Sequence, residues 1–380
     1  MKLEQNKWTA AGGWKPGAPG ALRDSAQLVL VFGATSIMKD LQHYEAIRAA
    51  YPGAHIMGGT TSGEIYGATV ADDSLVVTAV HFERTALKGA RVKLDDMERS
   101  FEAGEQLAKM LDHHELAHVF VISDGLKVNG SELVKGLAGN LPPHVAITGG
   151  LAGDGPRFEQ TLVCFDAPPE SGVVAALGLY GNRLKVGYGS MGGWDPFGVE
   201  WIITKSKANV LHELDGQSAL KLYKDYLGEH AKELPASGLL FPLSLRLEGS
   251  DEPVVRTILA VSDAEQSMTF AGDVPQGARA RFMKANFDRL VDGASGAARK
   301  TTYQSIGSAT PDLAVLISCV GRKLVLKQRI EEEVEGVRDV LGEGAVLAGF
   351  YSYGEISPFT PNAKCELHNQ TMTITTFSEV

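Results

Sequence analysis

Three stretches of this chain repeat one pattern, and that recurrence limits the folds open to it. Each runs from an apolar strand through a Gly-containing stop and a helix. A second apolar strand follows, then a Gly-rich turn bearing an acid. The first is Leu28–Gly33, a helix over 39–51 with Leu41, Tyr44, Ile47 and Tyr51 on one face, and a strand over 54–57 entering Gly58-Gly59 and Glu64. The second is a strand over 118–122, a helix over 132–139, and a strand over 145–147 entering Gly149-Gly150 and Asp154. The third is Leu313–Cys319, a helix over 329–341 with Ile330, Val334, Val337 and Leu341 on one face, and an apolar run over 345–348. That run enters Gly349-Phe350-Tyr351-Ser352-Tyr353-Gly354-Glu355. Strand-end and motif glycines, Gly33 to Gly59, Gly125 to Gly150 and Gly321 to Gly349, lie 26, 25 and 28 residues apart. Generic strand–helix–strand units explain the elements but not the recurring acid. A period this long points to duplication inside a globular fold rather than to a solenoid.

The rest of the chain is β-rich. Residues 1–24 read as a loose lead-in containing Gly and Pro. Strands are expected over 74–83, 161–165, 172–180, 184–189 and 199–205, with a turn-rich join over 189–198. Residues 210–227 read as a helix with Leu214, Leu222 and Tyr226 near one face. Segments 253–260, 267–271 and 278–283 read as a meander, 286–300 as a small-residue helix, and 371–377 as the last strand. Crossover units mixed with antiparallel strands predict an α/β fold. It would have two domains of mixed β-sheets with βαβ units and antiparallel meanders, internally repeated.

With 380 residues, 44% hydrophobic and 22% charged, the chain is long enough for about two domains with a sizeable core. A net charge of −10 argues against a general nucleic-acid surface. No apolar run is long enough to span a membrane, and the N-terminus has no signal-peptide pattern. Three scattered cysteines, Cys164, Cys319 and Cys365, make neither a disulfide framework nor a CxxC zinc site. These features together predict a cytoplasmic protein.

Several residues invite a chemical role, each beside a plainer reading. Gly59 and Gly150 lie in turns that match no nucleotide fingerprint, yet such turns can offer backbone N–H groups to a small anion. Glu64, Asp154 and Glu355 stand just past strand ends, where a cleft would open; the plainer reading is a solvated turn acid. Ser62 and Ser352 are candidate nucleophiles without a G-x-S-x-G elbow, because Thr61 sits at the centre of 59–63. Arg322 could grip a carboxylate or phosphate, or pair with Glu331, Glu332 or Glu333. Cys319, in an apolar run, reads as buried and inert. His113-His114 reads as a solvated helix end. His368, at the mouth of the last strand, reads as a hydrogen-bonded structural residue, with a haem or metal ligand as the alternative.

The strings GGTTSGEI (58–65), TGGLAGDG (148–155), FAGDVPQG (270–277), SCVGRK (318–323), AGFYSYGEISP (348–358) and LHNQTMT (367–373) resemble the FIST family of sensory proteins. The resemblance spans nearly the whole chain. It implies a lead-in over 1–24, a FIST N domain over 25–205 and a FIST C domain over 206–380. It implies a ligand-sensing module rather than an enzyme, with small ligands such as amino acids. It also resembles the stand-alone members that bind haem, sense nitric oxide and regulate a partner histidine kinase within two-component signalling. The expected ligand site draws on Gly59, Ser62, Glu64, Gly150, Asp154, Arg322, Tyr353, Glu355 and Asn369, with His368 as the haem-iron ligand. An unrecognised hydrolase or transferase using Ser62, Ser352 or Glu355 is the rival.

Overall fold

In the computed structural model of this chain, which describes residues 1–247, 253–305, 310–359 and 363–380, the three units fold alike. In unit 1, Leu28–Gly33 runs parallel to His55–Thr60, with helix Leu41–Ala50 between them. Asp40 starts that helix by accepting the Gln42 N–H. In unit 2, Leu116–Ser123 runs parallel to Ala146–Leu151 around helix Gly130–Asn140, whose cap is Asn129. In unit 3, Leu313–Cys319 runs parallel to Val346–Ser352 around helix Ile330–Leu341. A closing strand then lies antiparallel on the other side of each first strand: Ser74–His81, Val173–Tyr180 and Met372–Glu379.

A flanking strand extends each sheet beyond the closing strand. Ala86–Lys93 serves unit 2 and Leu184–Met191 serves unit 3. In unit 1 the flanking strand is Lys2–Thr9, so the loose lead-in expected there is instead a strand paired along its length to Ser74–His81, with the short strand Gly13–Lys15 on its other side. Its polar residues hid it, because a strand at the margin of a sheet needs backbone pairing more than a wholly apolar face.

The units exchange their tails in a closed cycle. Glu64–Tyr66 of unit 1 pairs with Val346–Ser352 of unit 3. Gly354–Pro358 of unit 3 pairs with Ala146–Leu151 of unit 2. Val163–Phe165 of unit 2 pairs with His55–Thr60 of unit 1. Three six-stranded sheets result. The apolar faces of the three first strands meet in one core that includes Phe32, Phe120, Ile122, Ile317 and Phe350. Helices cover the outer faces.

One glycine in each unit explains why the second strand approaches the first so closely. A Cβ on Gly58, Gly149 or Gly349 would stand 1.7, 1.8 or 1.8 Å from the carbonyl oxygen of Val31, Val121 or Leu316. No side chain fits there.

Between Leu184–Met191 and helix Phe287–Ser305 the chain builds a separate eight-stranded sheet, from Asp195–Lys207 to Arg279–Lys284. It has its own core, with Leu211, Leu220, Tyr223, Leu245, Met268 and Phe282. The expected helix over 210–227 is in fact strand Val210–Leu214, a turn, and helix Ala219–Leu227. Asp215 and Gly216 make that turn, both at positive φ. The residue-205/206 division lies inside Asp195–Lys207.

Candidate functional site

The Gly-rich turns of the three units meet where the tails cross. Three backbone hydrogen bonds form a ring there. Ser62 N–H donates to Tyr351 O (2.8 Å), Gly153 N–H to Thr60 O (2.9 Å) and Tyr353 N–H to Leu151 O (3.2 Å). Each unit thus donates to one neighbour and accepts from the other.

The acids divide into two kinds. Glu64 and Glu355 are equivalent, each six residues after its unit's close-approach glycine. Glu64 accepts from the Thr61 hydroxyl and from Ser74 N–H (3.2 Å) and Oγ (2.7 Å). Glu355 accepts from Ser352 Oγ (2.7 Å) and from Thr371 N–H (3.1 Å) and Oγ1 (2.9 Å). Each carboxyl therefore pins the start of its closing strand. Burial pushes Glu64 up to about 7 against its hydrogen bonds, and Glu355 up to about 8.

In unit 2 the residue at the matching position is Gly155, and Asp154 stands one place earlier. The pinning acid there is Asp124, at the end of the first strand, which the sequence reading passed over. It accepts from Gly172 N–H (2.8 Å), Ser171 Oγ (3.0 Å), Thr161 Oγ1 (2.7 Å), and the N–H groups of Leu126 and Lys127 (both 2.8 Å). The Ser123-Asp124-Gly125 strand end was its only signal in the sequence.

Asp154 instead organises a loop. It accepts the N–H groups of Phe158, Glu159 and Gln160, all at 2.9 Å, and the Tyr353 hydroxyl. Burial would raise its carboxyl, but these donors outweigh that and hold it below the ordinary value. Tyr353 also lies 2.8 Å from Gly155 O and stacks on Phe158 with ring centroids 4.4 Å apart. Burial, reinforced by Asp154, drives its hydroxyl far above the usual range. Ser62 joins this group, because Gly155 N–H donates to its Oγ (3.0 Å).

The loop over 154–160 forms one wall of a polar cleft of about 580 Å³. The cleft opens at the C-terminal ends of the first strands of units 1 and 2. Thr35, Lys39 and Lys127, which follow those strands, line it with Asp154, Arg157 and Glu159. Ligands of α/β sheets gather at such strand ends.

The structure thus brings together Ser62, Asp154 and Tyr353 among the expected site residues. Glu64 and Glu355 face the closing strands rather than the cleft. Gly59 and Gly150 lie within strands, packed against Leu162 O and the Ile317 side chain. Arg322 is fully buried and paired with Glu333 through Nε (3.0 Å) and Nη2 (2.7 Å). Its other bonds go to the carbonyls of Gly192 and Leu290, so the ion-pair reading of Arg322 holds.

His368 and Asn369 lie elsewhere, beneath the inserted sheet, whose Arg256 donates to Leu367 O (2.9 Å). His368 Nε2 is 2.7 Å from Ser357 O, its ring edge meets Phe359, and burial lowers it to about 3. Asn369 donates to His368 O (3.0 Å). His368 Nδ1, Asn369 Oδ1 and both amide atoms of Gln370 are buried without a partner. As packed, His368 does not fit a haem, because its fully buried ring is walled by Phe359; the Nε2 bond to Ser357 O would itself leave Nδ1 able to ligate. Among the described residues no cluster of three His, Cys, Asp or Glu could hold a metal ion. No helix there is long and apolar enough to cross a membrane.

Residues 27–217 match the family model of the FIST N domain, and residues 219–358 match that of the FIST C domain. No curated protein matches. A solved structure, the cyanuric acid hydrolase from A. caulinodans, aligns over 100% of this chain and 98% of that chain, at 8% identity and a TM-score of 0.37. At that similarity it carries neither a fold nor a function to this chain.

Proposed function

Because this chain belongs to the FIST family, whose domains are small-ligand-sensing modules of signal transduction, we propose that it binds a small polar ligand in the cleft at the 154–160 loop. The binding event is passed to another protein, in the cytoplasm, without catalysis. One observation carries this reading. The cleft wall belongs to unit 2, but the hydroxyl that anchors it, on Tyr353, belongs to unit 3. A ligand that prefers one arrangement of the loop therefore alters a contact between the N- and C-terminal parts of the chain, as a sensor requires.

The hydroxyls of the two serines support binding over hydrolysis. Ser352 is bound to Glu355, Ser62 accepts from Gly155 N–H, and among the described residues no histidine bonds either. The test is isothermal titration of the whole chain against amino acids and other small polar metabolites, repeated on Arg157→Ala. A saturable heat weakened by the substitution supports the cleft. A saturable heat indifferent to it places the ligand elsewhere and sinks this reading.

The narrower version has haem-based nitric-oxide sensing and a partner histidine kinase regulated in trans. It requires the unpartnered Nδ1 of His368 to reach iron, and hence Phe359 to move. Absorption spectroscopy after haem loading tests it: no Soret band, or one unchanged in His368→Ala, removes His368 as the ligand.

A further inference from the structure

We propose that the cleft takes an anion, a small molecule presenting a phosphate or carboxylate group to Lys39, Lys127, Arg157 and the Thr35 hydroxyl. This deepens the reading of the cleft as the ligand site and rests on it.

Charge balance carries the first half of the argument. Lys39, Lys127 and Arg157 line the cleft. None of their side chains has a hydrogen-bond or ion-pair partner among the described residues. They come from two units, so folding itself assembles them. Of the acids in the same wall, Asp154 is already spent on three N–H groups and the Tyr353 hydroxyl. Asp154 keeps its charge, so the lining sums to zero, three cations against Asp73, Asp154 and Glu159, inside a molecule of net charge −10. An anion therefore meets less repulsion here than elsewhere on the molecule, beside cations that no carboxylate holds among the described residues.

The second half is an unmet hydrogen bond. Thr35 is only 7% exposed, and its Oγ1 is buried without a partner in the same wall. A buried hydroxyl left unsatisfied is costly, and native structures rarely leave one without a reason. An oxyanion accepts that hydroxyl's proton while ion-pairing with the ammonium and guanidinium groups. A cationic ligand could only donate to that hydroxyl, and it meets Lys39, Lys127 and Arg157 with like charge. The volume, about 580 Å³, suits a metabolite rather than a bare ion.

The experiment is calorimetric titration of the full chain with inorganic phosphate, succinate, glycine and putrescine. It is repeated on Lys127→Ala/Arg157→Ala, whose side chains are exposed, and on Thr35→Val. Phosphate or succinate should bind saturably. The dissociation constant should rise about tenfold or more in the double variant, and the affinity should fall with added salt. Phosphate alone would identify a phosphorylated ligand, and succinate alone a carboxylate. Glycine binding without succinate would identify an amino-acid carboxylate; putrescine binding that the double variant abolishes, with no binding of phosphate, succinate or glycine, overturns the anion and keeps the cleft. If no binding depends on the double variant or on Thr35→Val, the cleft falls and the anion with it.

Discussion

A carboxyl buried among donors need not be charged, and in Glu64 and Glu355 that sets a pH dependence. Burial lifts them to about 7 and about 8, from an ordinary 4.5. Between 4.5 and those values the folded chain keeps protons that the unfolded chain has released. Stability from these groups is therefore full below pH 4.5 and is lost as pH rises towards 8. The ceilings are on the order of 3 kcal/mol for Glu64 and 5 kcal/mol for Glu355. Glutamine keeps the shape and one acceptor while removing the titration. We expect the melting temperature of Glu64→Gln/Glu355→Gln to vary less between pH 5 and pH 8 than that of the parent; parallel melting curves would contradict it. Arg322 gives the opposite case. Both partners of its pair with Glu333 are fully buried, so Arg322→Ala leaves an uncompensated charge and should cost about 3–5 kcal/mol in chemical denaturation. At this scale the sequence offered the acids but not their duties. A string shows that Glu64 and Glu355 follow glycines; only the fold shows that Ser74 and Thr371 receive them. Asp124 escaped notice because its partners, Thr161, Ser171 and Gly172, lie 37 to 48 residues away.

Among elements, the repeated strand pairs were legible because their apolar runs end at glycines whose removal nothing else could offset. Gly149→Ala would drive a Cβ to 1.8 Å from Val121 O, so we expect it to abolish soluble expression. Gly139, on an exposed turn of helix Gly130–Asn140 with open space around it, should accept alanine with a gain of about 0.5–1 kcal/mol. The strand Lys2–Thr9 and the strand–turn–helix over 210–227 were misread for one reason. Both depend on partners distant in sequence, and polar or mixed apolar runs carry no clear period of their own. The 154–160 loop makes a sharper test. Its three N–H bonds to Asp154 are steadied by the Tyr353 hydroxyl. Tyr353→Phe removes the bond to the Asp154 carboxylate, worth about 1.5–3 kcal/mol, together with the hydroxyl's contacts to Gly155 O (2.8 Å) and Phe158 N–H (3.3 Å). Amide exchange at Phe158, Glu159 and Gln160 should then quicken roughly tenfold or more, while that of strand Leu28–Gly33 stays as it was. Unchanged exchange in the loop would show that Asp154 holds it alone, and would remove the link from the cleft to unit 3.

At the scale of the molecule, the cyclic exchange of tails has a thermodynamic consequence. Each unit's tail completes the next unit's sheet, and all three first strands share one core. If one unit opens, it strips a strand from a neighbour and exposes the common apolar face. The penalty therefore falls on all three, and the units should unfold together despite their separation in sequence. Among the described residues the sheet within 195–284 shares no ladder with them and has its own core. Its ties include Arg256 to Leu367 O, Asp273 to Lys135 (3.0 Å) and Asn129 (3.4 Å), Asp195 to Asn286 (3.1 Å) and Arg289, and an apolar cluster joining Met283 to Leu290, Val325 and Leu326. Leu137→Ala in unit 2 tests this. Leu137 is fully buried, and truncation should cost about 2–5 kcal/mol. Under native-state hydrogen exchange, the slowest amides of Leu28–Gly33 and Leu313–Cys319 should lose the same free energy as those of Leu116–Ser123. Amides of helix Ala219–Leu227 should lose less. A loss confined to unit 2 would mean that the exchanged tails can detach singly, and that the three units are neighbours rather than one cooperative body.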